Sequence, residues 1–201
     1  MRLHFSITHW DADRQTAAIL RDAIELNYPG SSIALVPDGV GGLGRLKNID
    51  GGAWIERIMR SFPPDFDRYF KIEPDVQILR AAAEFPDDDW FGHVRYHHEM
   101  KRLINFGGLW GFSRDAVDRV LQSGLLKDKK YLSRDWTYDR YGKFLLSGEL
   151  PAPPLYCCDH IMADVMAQLK MIPRQWDAVH LTFREHQREP IKDIGSIAFF
   201  N

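Results

Sequence analysis

Residues 3–36 constrain the fold more than any other stretch of this chain. Leu3 to Thr8 alternates weakly and reads as a buried strand, and Asp11 or Asp13 can cap a helix after it. Ala17, Leu20, Ala23 and Ile24 recur at helical spacing, and Tyr28-Pro29-Gly30 stops the run. Ile33-Ala34-Leu35-Val36 is a second apolar run, closed by the turn signal Pro37-Asp38-Gly39. Strand, helix and strand in this order make a βαβ unit, right-handed and with parallel strands. Open sheets of that kind bind ligands at the carboxyl ends of their strands. Three such ends carry polar residues: Thr8-His9-Trp10, Asp38-Gly39 and Glu73-Pro74-Asp75.

The remaining chain continues the mixture of helices and strands. The spacing of Trp54, Ile55, Ile58 and Met59 predicts a helix over Ala53 to Ser61, broken by Pro63-Pro64. Tyr69 to Ile72 is a third buried strand, a helix is expected over Val76 to Phe85, and Asp87-Asp88-Asp89 forms a polar turn. Asn105 to Phe112 is apolar and interrupted by glycines, and Ser113 caps a helix carrying Ala116, Val117, Val120 and Leu121. Lys127 to Ser147 is polar and aromatic, Pro151 to Pro154 punctuates the chain, and a helix is expected from Asp159 to about Met171. Ala178 to Phe183 reads as a strand and Ile194 to Phe199 as a short edge strand. With no repeat, low-complexity segment or linker, one domain over residues 1–201 is expected.

Composition narrows the function classes. Apolar residues are 45% of the chain and charged residues 27%, which excludes disorder and coiled coil. A net charge of -2 leaves no electrostatic footprint for nucleic acid or an anionic membrane. No apolar run approaches the roughly 20 residues that span a bilayer. Cys157 and Cys158 are adjacent and close no useful loop, and the N-terminus lacks signal-peptide character, so a cytoplasmic protein is expected. Oligomeric state stays open, a homo-oligomer included.

Glu73 and Asp75 are the sharpest constellation. Two carboxylates flanking one residue at the end of a buried strand can both face a divalent cation; the alternative is a solvated turn. Asp11-Ala12-Asp13 is better explained as a helix N-terminus, and Asp87-Asp88-Asp89 as a solvated loop. His93 and His97 are four apart and could share a helix face, but His97-His98-Glu99 is not the zinc-protease order. Gly-x-Ser-x-Gly and the phosphate-cradling lysine motif are both absent.

In their order these segments resemble the GT-A nucleotide-sugar glycosyltransferases. Val36-Pro37-Asp38-Gly39 is similar to the family's second strand with its acidic end, and Leu46-Lys47-Asn48 to the loop ending in a basic residue and Asn. Phe70-Lys71-Ile72-Glu73-Pro74-Asp75 is similar to the apolar strand ending in Asp-x-Asp, with Glu73 in place of the first Asp and Pro74 stiffening the turn. Gly107-Gly108-Leu109-Trp110-Gly111-Phe112-Ser113-Arg114-Asp115-Ala116 resembles the glycine-rich stretch of fringe-like and β-1,3-galactosyltransferase-like members. Cys157-Cys158-Asp159-His160 stands where those enzymes open a helix with the catalytic base, and His180 where a late-strand histidine completes the metal shell. The resemblance runs from about Leu3 to Phe183.

The resemblance implies an α/β GT-A fold with a mostly parallel sheet flanked by helices. It also implies a metal-dependent, inverting transfer from a nucleotide-diphosphate sugar, a UDP-sugar, to an acceptor hydroxyl. Mn²⁺ or Mg²⁺ is then expected on Glu73, Asp75 and His180, and Asp159 is the expected base. Thr8, Trp10, Asp38, Lys47, Gly107 and Gly108 are expected around the donor, with Trp110 beside the acceptor sugar. Two alternatives stand beside this reading. One is a noncatalytic nucleotide-sugar or glycan-binding module. The other is a sugar-phosphate nucleotidyltransferase, for which the Gly-rich basic loop after the first strand is missing.

Overall fold

A computed structural model describes residues 1–9, 11–37, 49–98, 100–133, 158–182 and 197–200. The βαβ start is present: β1 (Leu3–His9), α1 (Arg14–Asn27) and β2 (Ser32–Pro37), with β1 and β2 parallel. Asp13 occupies the N-cap position of α1 without a side-chain cap hydrogen bond, and Ala17, Leu20 and Ile24 form the buried stripe. After β3 (Ile49–Asp50) come α2 (Gly51–Arg60), β4 (Arg68–Ile72) and β5 (Val76–Ile78). Then follow the long hairpin β6 (Trp90–His97) and β7 (Arg102–Ser113), and α3 (Arg114–Ser123). The last described elements are β8 (Leu132–Ser133), α4 (Cys158–Gln168), β9 (Arg174–Gln175), β10 (Val179–Thr182) and β11 (Ile197–Phe200).

The architecture is α/β, an open mixed sheet flanked by helices. Its six strands run in the order β2-β1-β4-β7-β6-β9. β1 is parallel to both β2 and β4, while β7 runs antiparallel to β4 and β6. The pleat sends alternate residues of each strand to opposite faces. Phe70 and Ile72 join Phe5, Ile7 and Leu109 in a core shared with α1 and Trp176. Tyr69 joins Trp110, Phe112, Ile55, Val117 and Met162 on the other face, against α2, α3 and α4. Among the described residues no helix is long and apolar enough to cross a membrane.

Three expectations need correction. The helix expected over Val76 to Phe85 is absent: Val76 and Ile78 are buried with Gln77 exposed between them, a strand's period of two. Its partner is β11, paired antiparallel from Ile197↔Ile78 to Phe199↔Val76. The expected edge strand near Ile194 to Phe199 is β11, and it lies in the middle of the small sheet β10-β11-β5 rather than at its edge. His93 and His97 sit on β6, so they share no helix face. The Gly-interrupted stretch from Asn105 to Phe112 is the heart of β7. Ser113 caps α3 as expected, its Oγ accepting from the Ala116 N–H at 3.0 Å.

Candidate functional site

The parallel pair β1 and β4 ends at one edge of the sheet, bringing Thr8 and His9 beside Ile72 and the turn that follows it. Thr8 is buried, and its hydroxyl donates to the Ile72 carbonyl at 3.5 Å. The Glu73 N–H donates to the Gly108 carbonyl at 2.7 Å, which fixes the turn carrying Glu73 and Asp75 against β7. Gly108 leaves little room there. A Cβ on it would lie 3.2 Å from Asp75 Oδ1, 3.2 Å from Glu73 Cβ and 3.0 Å from Val76 Cγ2.

Asp159 reaches the same place from the first turn of α4. Its Oδ1 accepts from the Trp110 indole N–H at 3.0 Å, and its Oδ2 from the Gly107 N–H at 3.5 Å. Gly107 has φ 100°, a left-handed conformation costly for a side-chain-bearing residue, so the sequence Gly-Gly serves both carboxylate positions. Burial pushes the Asp159 pKa from 3.8 up to about 7, helped by the charge of Glu73 and opposed by Lys71 and the two N–H donors. Asp75 stays exposed, yet partial loss of water and then the charges of Glu73 and Asp13 push it up to about 6.

Lys71 is the residue that the sequence reading passed over. It is 0% exposed, and its ammonium is paired with the Glu73 carboxylate. Cross-strand register sets it opposite Trp110, over whose ring centroid Nζ lies at 4.6 Å, with the Trp54 ring at 5.7 Å. Burial alone would lower its pKa, but Glu73, Cys158 and Asp159 outweigh burial and hold it above its ordinary value. The available signal was a lysine between Phe70 and Ile72, on the same pleat face as a glutamate two residues on.

Thr8, Glu73, Asp75, Gly107, Gly108, Trp110 and Asp159 are thus brought to the carboxyl edge of β1 and β4. Trp110 is 1% exposed, so an acceptor sugar finds no open face on it; its indole instead orients Asp159. Trp10, Asp38 and Lys47 lie outside the described residues. His180 is on β10, paired with Ala198 of β11, and only its backbone is described.

Glu73 and Asp75 suit a divalent cation by chemistry, because both are hard oxygen donors and their like charges repel each other. Among the described residues no group of three or more His, Cys, Asp or Glu side chains could hold a metal ion, so the protein's share of a cation shell there is small. His97 and His160 pair with each other instead, Nε2 to Nε2 at 3.0 Å. Burial, then the charges of His97 and Arg95, lowers the His160 pKa to about 4.

No family model matches the chain. No curated protein matches it either.

Proposed function

We propose that this chain is a nucleotide-sugar glycosyltransferase of the GT-A type, moving a sugar from a UDP-sugar to an acceptor hydroxyl with inversion. One observation carries the reading: a part-buried carboxylate, held by two N–H donors at a helix start, lies close enough to Glu73, at the end of a parallel strand, to feel its charge. The order of parallel β1, β2 and β4 with antiparallel β7 supports the same reading.

Asp159 accepts the proton of the acceptor hydroxyl as that oxygen bonds to the anomeric carbon. The bond from that carbon to the diphosphate breaks, and its electron pair leaves with the phosphate oxygen. A base that ionises near neutrality suits this role, being both available and strong enough. Trp110 and the Gly107 N–H aim the carboxylate, and Lys71 sits behind it as a fixed positive charge. Mn²⁺ or Mg²⁺, when bound, neutralises charge developing on the leaving diphosphate. Glu73 and Asp75 are the residues that would hold the ion, with His180 a further candidate. Thr8, Trp10 and Asp38 are assigned to the base and ribose, Lys47 to the phosphates, and Gly107 and Gly108 to close approach of the donor.

Calorimetric titration with UDP tests the donor and cation assignments together. Affinity is expected to rise with Mn²⁺ over EDTA, and Asp75→Ala to abolish that gain. Equal affinity in both conditions for the wild type contradicts the cation assignment. A second reading, donor binding without transfer, is favoured by the engagement of Glu73 by Lys71. Labelled donor separates the two, since a binding module neither hydrolyses nor transfers it.

A further inference from the structure

Lys71 is not explained by packing. A buried lysine carries a desolvation penalty that a methionine of similar shape avoids. Here the charge is retained at 0% exposure, on the strand that leads directly into Glu73 and Asp75. Its ammonium is paired with Glu73, the first carboxylate of that pair, and is fixed from the side by the Trp110 and Trp54 rings.

We propose that Lys71 is a positioning residue that competes with a divalent cation for Glu73. With no ion bound, the ammonium holds the Glu73 carboxylate in place and keeps the acidic turn from repelling itself apart. An ion entering between Glu73 and Asp75 shares or displaces that contact, against the repulsion of a fixed like charge. The site therefore stays formed without metal and binds the free ion weakly. A diphosphate offsets the Lys71 charge, so ion and diphosphate favour each other's binding. This inference rests on the cation assignment of the proposed function.

The test is Mn²⁺ binding without substrate, read from loss of the free-ion paramagnetic resonance signal, in wild type and Lys71→Met. The variant is expected to bind Mn²⁺ at least about tenfold more tightly. Its melting temperature is expected to fall below wild type in EDTA and to recover in Mn²⁺. Equal or weaker Mn²⁺ affinity in folded Lys71→Met overturns the role of Lys71 and leaves the cation assignment standing. Absence of Mn²⁺ binding in both proteins overturns the cation assignment, and the competition with it.

Should Lys71→Met not fold, the wild type decides. Mg²⁺ titrated into ¹⁵N-labelled protein is expected to shift the Trp54 and Trp110 indole resonances together with the Val76 amide. A shift at Val76 with both indoles unmoved overturns the proposal.

Discussion

At the scale of single residues, the site is organised by where charge is buried. Asp159 is a carboxylate that the fold makes reluctant to ionise, because water is lost around it and Glu73 is near. The folded chain holds this proton more tightly than the unfolded chain. Ionising Asp159 as pH rises from about 4 to about 7 therefore costs stability, and the full cost is present above that window. Asp159→Asn keeps the shape and the shorter of the two accepted hydrogen bonds, from Trp110 at 3.0 Å, while removing the charge and turning an amide NH2 toward the Gly107 N–H. The melting temperature of wild type relative to this variant is expected to fall between about pH 4 and about pH 7. Parallel pH profiles for the two proteins would show that Asp159 ionises as an ordinary carboxylate. Lys71 is the counterweight, and its role could not be read locally. The lysine is plain in the sequence, but Trp110 becomes its partner only through the pairing of β4 with β7.

At the scale of elements, the legible parts were those specified by neighbours in sequence. α3 was readable because Ser113 caps it and Ala116, Val117 and Val120 form its buried stripe. Removing the cap in Ser113→Ala also removes the Ser113 hydroxyl's donation to Asp89 at 2.7 Å. A loss of about 1 kcal/mol is expected in urea unfolding, with the slope unchanged; a shift within experimental error contradicts the cap. β5 was misread because Ala81-Ala82-Ala83 favours a helix locally, whereas its strand partner β11 lies at the far end of the chain. The turn from Glu73 to Val76 packs on Gly108 so closely that the added methyl of Gly108→Ala requires Val76, Asp75 and Glu73 to give by a few tenths of an ångström. That variant is expected to lose part of the Mn²⁺-dependent gain in UDP affinity while remaining folded. A full gain in calorimetry contradicts the placement of Asp75 at the site.

At the scale of the whole molecule, the mixed sheet separates two cores and leaves the acidic cluster at the carboxyl edge of β1 and β4. The sequence showed this edge through the βαβ start and through Glu73-Pro74-Asp75, since both depend on local patterning. That α4 returns Asp159 to the same edge was expected only through the family resemblance, because no local pattern specifies how α4 packs over β7. On this convergence the proposed group transfer rests. The most direct measurement is release of UDP from a panel of UDP-sugars, with Mn²⁺ and hydroxyl acceptors, by wild type and Asp159→Asn. Turnover of at least one donor is expected from wild type, with a rate about 10²–10⁴-fold lower in the variant at unchanged donor affinity. Saturable donor binding with no UDP released from any donor, or turnover equal in the two proteins, would contradict that expectation.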